Sequence, residues 1–272
     1  MRSRGGSQGL KLFCAAIAGF TTASTAKADD FAVIASPPHF ELEAKPATPI
    51  REIVEITNAG STAAKYKIMT ADWTLDRNAG AQFTQSLRPG SCRPWVAIER
   101  GEISLASRGK YRFRFEVAPP ADAPRGECRF ALLIEGAEET VTTPKGVSFP
   151  VAGRLGVIVY VAIGGAAPDL QLAGAEVGTI NGEPLPVLKI RNAGDAHGRL
   201  DGFLSGTDAK GQDFEFSPTT LPILPGETRA ISLIVNSDDE HSVRHIAYPI
   251  TISGSLETGM GKALKFEQRF VR

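Results

Sequence analysis

The sequence predicts an all-β chain of two tandem immunoglobulin-like sandwiches, and three observations predict it. Apolar and polar residues alternate with period two in segment after segment. Turn signals of Gly, Pro and Asn recur evenly between those segments from Phe31 onward, and no stretch carries a convincing amphipathic helix period. The 272 residues, 42% hydrophobic and 22% charged, suffice for two medium domains.

The chain opens with Arg2, Arg4 and Lys11, then an apolar segment from Leu12 to Phe20, small residues, and Ala26-Lys27-Ala28. This reads as a secretory signal over residues 1–28 with an A-x-A cleavage site after Ala28. The apolar stretch is well short of the ~20 residues that span a bilayer, so no membrane insertion is expected once the signal is removed. A lipid anchor on Cys14 is the other reading weighed, but bulky Phe13 stands where a small residue is expected.

Signal removal leaves Cys92 and Cys128 in an oxidising, exported compartment. A disulfide between them is the natural reading, with two buried free thiols as the alternative. Two cysteines without a second ligand pair nearby make no tetrahedral metal set.

The strands follow in order. Phe40 to Ala44 alternates, and Ile50 to Thr57 does so imperfectly before the turn Asn58-Ala59-Gly60-Ser61. Lys65 to Trp73 is the next strand, followed by turns at Asp76–Gly80, Arg88–Ser91 and Ser107–Gly109. Tyr111 to Val117 alternates without a break, prolines 119, 120 and 124 interrupt the chain, and Cys128 to Ile134 is a further strand. The second half echoes the first. Ile56-Thr-Asn-Ala-Gly60 returns as Ile190-Arg-Asn-Ala-Gly194, and Gly109-Lys-Tyr-Arg112 as Gly226-Glu-Thr-Arg229. Such short echoes arise by chance or from one sandwich in each half. With the small-residue link Gly164–Pro168 as the boundary, the domains are residues 29–163 and 164–272.

Between Thr143 and Val161 runs the longest alternation. Val147, Phe149, Val151, Leu155, Val157, Val159 and Val161 share one parity, broken only by Gly153. From Val157 onward Ile158 and Tyr160 make the other face apolar too, as in a strand inside a domain core. The one-faced part must bury its apolar side chains in this chain or in another one.

Catalytic signatures are absent from the pattern. Lys and Arg together number 30, as do Asp and Glu, with no dense basic run for nucleic acid. The four histidines, His39, His197, His241 and His245, sit in turn-rich segments, and the His241–His245 spacing lacks the Glu of a zinc protease. Gly202 and Gly206 each miss the offset of a nucleophile elbow around Ser205. The acidic run 238–240 is a solvated turn. No enzyme activity, cofactor or metal is expected, and proteins or neutral ligands are the expected partners.

Four segments together resemble the periplasmic pilus-assembly chaperones of the chaperone-usher (PapD-like) pathway, over most of the first domain. They are Ile53-Val-Glu-Ile-Thr-Asn58, Tyr66 to Trp73, Pro124 to Leu133, and Arg154-Leu-Gly-Val-Ile-Val-Tyr160, which is similar to the family's R-I-K-L-F-Y-R-P strand. The resemblance implies two immunoglobulin-like domains in an L shape, periplasmic location, a pilin-like or secreted surface subunit as partner, and an outer-membrane usher as a further one. It implies donor-strand complementation, with Val147, Phe149, Val151 and Leu155 as donors. Four such side chains are worth on the order of 6 to 12 kcal/mol gross. The family holds the subunit carboxylate with two basic residues. Here Gly156 stands at the strand Lys position and Pro37-Pro38-His39 at the first-strand Arg position. Arg154 is left as either an anchor or one half of an ordinary ion pair. The alternative function is an exported structural or adhesive protein that packs the long strand internally.

Overall fold

The computed structural model describes residues 31–76, 80–143, 146–180, 182–236 and 245–272. The leader with its cleavage site and Cys14, residues 77–79 of the second turn, Pro144-Lys145, and the acidic run with His241 lie outside the described residues. What is described is all-β, two tandem immunoglobulin-like sandwiches, with one short 3₁₀ turn at Arg93–Trp95.

The first sandwich is built from two facing sheets. One is ordered β1 (Val33–Ser36), β3 (Ile50–Asn58), β8 (Lys110–Val117), β6 (Val96–Ile98). The other runs β2 (His39–Ala44), β12 (Arg154–Ile163), β9 (Gly126–Glu135), β4 (Ala64–Leu75), β5 (Ala81–Thr84), with β7 (Glu102–Leu105) also on β4. β1 and β2 belong to opposite sheets, and the chain crosses between them at the cis Ser36–Pro37 bond. Alternate residues of both sheets fill the space between: Val54 and Ile56, Phe113 and Phe115, Phe130, Leu132 and Ile134, Val157, Val159 and Val161. This core is why the alternation in β3 and β8 is so legible.

β9 is buried on both faces, because the outer face of its sheet carries a second cluster of Ala71, Trp73, Ala131, Leu133 and Tyr160, joined by Leu224 of the second sandwich. Trp73 is buried there, and its Nε1–H donates to the Phe130 carbonyl at 3.2 Å. The doubly apolar pattern from Val157 onward has the same origin, with Ile158 and Tyr160 facing the outer cluster.

The 147–161 stretch is two strands rather than one. β11 (Ser148–Val151) pairs antiparallel with β10 (Glu139–Thr142) to make a separate two-stranded hairpin, and β12 starts afresh at Arg154. The partner strand is interrupted at the same level, between Glu135 and Glu139, where Gly136 N–H still donates to the Gly153 carbonyl at 3.0 Å.

The second sandwich is one seven-stranded sheet that curls until its ends meet. Its order is β13 (Leu170–Ile180), β14 (Glu183–Asn192), β17 (Thr228–Val235), β16 (Asp213–Pro218), β15 (Leu204–Thr207), β18 (Ile250–Gly259), β19 (Lys262–Phe270), with β19 returning beside β13. Between Ile163 and Leu170 the chain turns through Gly164 and Gly165, both at positive φ (65° and 75°), where a Cβ is unfavourable.

The sequence echo has a structural counterpart. Buried Asn58 accepts from Gly60 N–H at 2.9 Å and donates to the Thr62 carbonyl at 2.7 Å. Buried Asn192 accepts from Gly194 N–H at 2.9 Å and donates to the Ala196 carbonyl at 2.8 Å. In both, the Asn backbone N–H reaches the turn that launches the later strand, at the carbonyls of Gly109 and Glu227, each 2.9 Å away. One amide side chain satisfies a turn and ties it to a second loop, which is why Asn recurs at this corner.

Candidate functional site

The β10–β11 hairpin carries the residues singled out as donors. Val147, just before β11, and Phe149 and Val151 within it are 61%, 43% and 43% exposed. Among the described residues β11 pairs with β10 alone, and β12 pairs with β2 only from Ile158 on. From Phe149 to Val151 and from Arg154 to Val157 the backbone is therefore laddered on one side only. Such an edge invites another strand. Leu155 differs from the other three, being half-buried and packed on the first sandwich's own core.

Arg154 stands directly across the ladder from Glu135, and its Nε donates to Glu135 Oε1 at 2.6 Å. Of the two readings left open by the sequence, the structure holds it in the intramolecular pair, with its side chain still half-exposed. Two residues on, a Cβ on Gly156 would lie 2.3 Å from Cζ of Phe83, which reaches over from β5. The space that a lysine side chain would take at this position is filled by an aromatic ring from the same chain. On β2, His39 sits opposite Ile158 with its Nε2 3.7 Å from Glu41.

Beyond His39 lies a polar cluster that joins the two sandwiches. His197 stacks on the Tyr160 ring with centroids 3.7 Å apart, and its side chain is only 8% exposed. Its Nδ1 is 2.5 Å from Glu127 Oε2, its backbone N–H donates to the same oxygen at 2.8 Å, and its Nε2 lies 3.3 Å from Glu41 Oε1. Arg199 pairs with Glu41 and stacks over Tyr160. Nearby, Arg125 Nε donates to Asp195 at 2.6 Å, and Glu127 N–H to the Asp195 carbonyl at 2.8 Å. The hydrogen bond from His197 and the Arg199 charge outweigh partial burial and hold the Glu41 carboxyl down at about 2. Burial pushes the Tyr160 hydroxyl up to about 12. For His197, burial acts downward, but its bonds to Glu127 and Glu41 prevail and the net shift is upward.

Sequence reasoning placed His197 in a turn-rich segment and assigned it nothing. Its partners lie 70 and 156 positions away, so no local spacing signals them.

Cys92 and Cys128 are both buried, here as free thiols. They are neighbours: burial, and then a hydrogen bond to Cys128, hold the Cys92 thiol far above its ordinary range. Among the described residues no group of His, Cys, Asp or Glu is arranged to hold a metal, and no helix is long and apolar enough to cross a membrane.

No protein-family model matches the sequence, and no curated protein matches it. Solved structures similar to the chain include the class 5 fimbriae chaperone CfaA, at 11% identity and a TM-score of 0.45, over 88% of this chain and 99% of that one. Another is the CsuC–CsuE complex of a chaperone and a tip adhesion subunit from Acinetobacter baumannii, at 15% identity and a TM-score of 0.43, over 88% and 97%. A third is the E. coli chaperone DraB, at 15% and 0.43, over 88% and 97%.

Proposed function

We propose that this protein is a non-enzymatic periplasmic chaperone that binds a pilin-like or surface-fibre subunit by adding its β11 edge to the subunit's incomplete sheet. The observation that carries the reading is the one-sided strand edge bearing Val147, Phe149 and Val151, exposed on a hairpin with no core of its own. An internal strand of a structural protein has no reason to leave three large apolar side chains in water. Because they are already about half covered, burying the remainder is worth roughly 3 kcal/mol. That is less than full burial of four donors, and new ladder hydrogen bonds, at about 1 kcal/mol each, carry much of the rest. Leu155 serves as the fixed end of the donor row. Arg154, half-exposed and paired with Glu135 through Nε and one terminal nitrogen, has further N–H groups to offer a subunit carboxylate.

The same reading takes residues 1–28 as a cleaved signal, 29–163 and 164–272 as the two domains, and Cys92–Cys128 as a disulfide formed after export. Whether an outer-membrane usher receives the subunit follows from the pathway rather than from any residue here.

The test is co-expression with a candidate subunit encoded beside the gene. Replacing both Phe149→Asp and Val151→Asp abolishes recovery of the subunit from the periplasm, whereas an unchanged yield sinks the proposal. Hydrogen exchange adds a second check: residues 146–151 gain protection when the subunit is added.

A further inference from the structure

The β10–β11 pair leaves the first sandwich through a break that crosses both of its strands at one level. On one side are residues 136–138, on the other Ala152 and Gly153, bridged by the single bond from Gly136 N–H to the Gly153 carbonyl. A ladder broken at the same place in both strands is a hinge, since neither strand runs continuously across it. A hinge alone would let the hairpin sample many directions.

Phe31 occupies this hinge. A Cβ on Gly153 would lie 2.1 Å from Phe31 Cγ and 2.2 Å from its Cβ, and a Cβ on Gly136 2.7 Å from Cδ2. Both glycines thus leave room for one aromatic ring from elsewhere in the chain, set against the backbone of both hairpin stems. The ring is held from the core side. It packs on the first sandwich's core, meets Tyr66 edge-on at 6.2 Å between centroids, and the neighbouring Ala32 carbonyl accepts from Ala59 N–H at 2.7 Å. On the core side of the same break the Arg154–Glu135 pair ties the last rung of β9 to the first of β12.

We propose that Phe31 is a positioning residue, a wedge seated on the hinge glycines Gly136 and Gly153 that fixes the direction in which the paired strands β10 and β11 project. It acts through the backbone of the two hairpin stems at Gly136 and Gly153. Its value to the protein rests on the donor-strand reading, since a fixed edge loses less freedom when a partner strand is added.

The experiment uses the full mature chain without any partner, so it stands apart from the proposed function. Hydrogen exchange is followed on a peptide spanning the hairpin and on peptides from β9 and β12. Phe31→Ala is expected to raise hairpin exchange about tenfold while β9 and β12 keep their protection, as a local opening does. Gly153→Ala expels the ring without deleting apolar surface and should have the same effect. Phe31→Tyr, which keeps the ring, should stay near wild type. Unchanged hairpin exchange in both Phe31→Ala and Gly153→Ala overturns the inference, and so does a rise shared equally by β9 and β12, which makes Phe31 an ordinary core residue. Loss of the proposed function in the Phe149→Asp, Val151→Asp test leaves this readout untouched.

Discussion

Replacing His197 by Ala is the most direct probe of how the two sandwiches are held together. Glu127 is buried, with a side chain 1% exposed, and takes two hydrogen bonds from His197, at Nδ1 and at the backbone N–H, plus Arg129 at 3.5 Å. The variant removes the imidazole, leaves the backbone bond, and uncovers the face of Tyr160. Removing one partner of a buried ion pair costs about 3–5 kcal/mol, and the bonds that Glu127 keeps place the loss near the lower end, about 3 kcal/mol. The groups facing His197 are Glu41 on β2, Glu127 on β9, Tyr160 on β12 and Arg199; behind them His39 pairs with Glu41, Arg129 with Glu127, and the Asp195 carbonyl accepts from Glu127 N–H. A neutral ring accepts from Arg199 at Nε2, whereas the protonated ring donates to carboxylates on both sides. The folded-state pKa of His197 lies above its ordinary 6.5. Its ionic contribution is therefore fully present below pH 6.5 and lost as pH rises through the raised value. Glu41 works in the opposite direction, contributing above its ordinary 4.5 and losing that contribution as pH falls toward about 2. Between those two ordinary values the cluster contributes most. Urea unfolding followed by Trp fluorescence reports on the first sandwich, which holds both Trp73 and Trp95. The gap between wild type and His197→Ala should be widest near pH 5 to 6 and narrow on the alkaline side. A gap that is constant with pH, or that widens as pH rises, refutes the ionic account and leaves only packing on Tyr160.

Two further outcomes follow from buried groups. Asn192→Ala strands the Ala196 and Ile223 carbonyls, each bonded at 2.8 Å, and should cost about 2 kcal/mol in thermal unfolding, with Asn58→Ala costing a similar amount in its own sandwich. Equal stability of either variant to wild type would mean that water replaces the amide. If Cys92 and Cys128 pair after export, the denatured periplasmic protein shows no titratable thiol, and reduction removes roughly 4 kcal/mol of stability. Two reactive thiols would rule the pairing out.

The sequence alone determined the class of this fold, because burial against one facing sheet forces period two wherever a strand has a core face and a wet face. Tyr111 to Val117 is such a case. It also exposed the repeated Asn corner, since one amide side chain closing a turn needs the same residues in the same order in both halves. The apolar parity of 147, 149, 151 and 155 was equally legible, but parity is blind to breaks. Only the tertiary structure divides that run into a hairpin strand and a core strand, and at the break Phe31, from more than a hundred residues away in the chain, lies against Gly136 and Gly153. The same holds for Phe83 over Gly156 and for His197 between Glu127 and Glu41: each is a meeting of residues on separate elements. A local pattern reports which side of a strand is dry. What the strand meets there is set by how distant segments pack, and that decided both the projecting edge and the joint between the sandwiches.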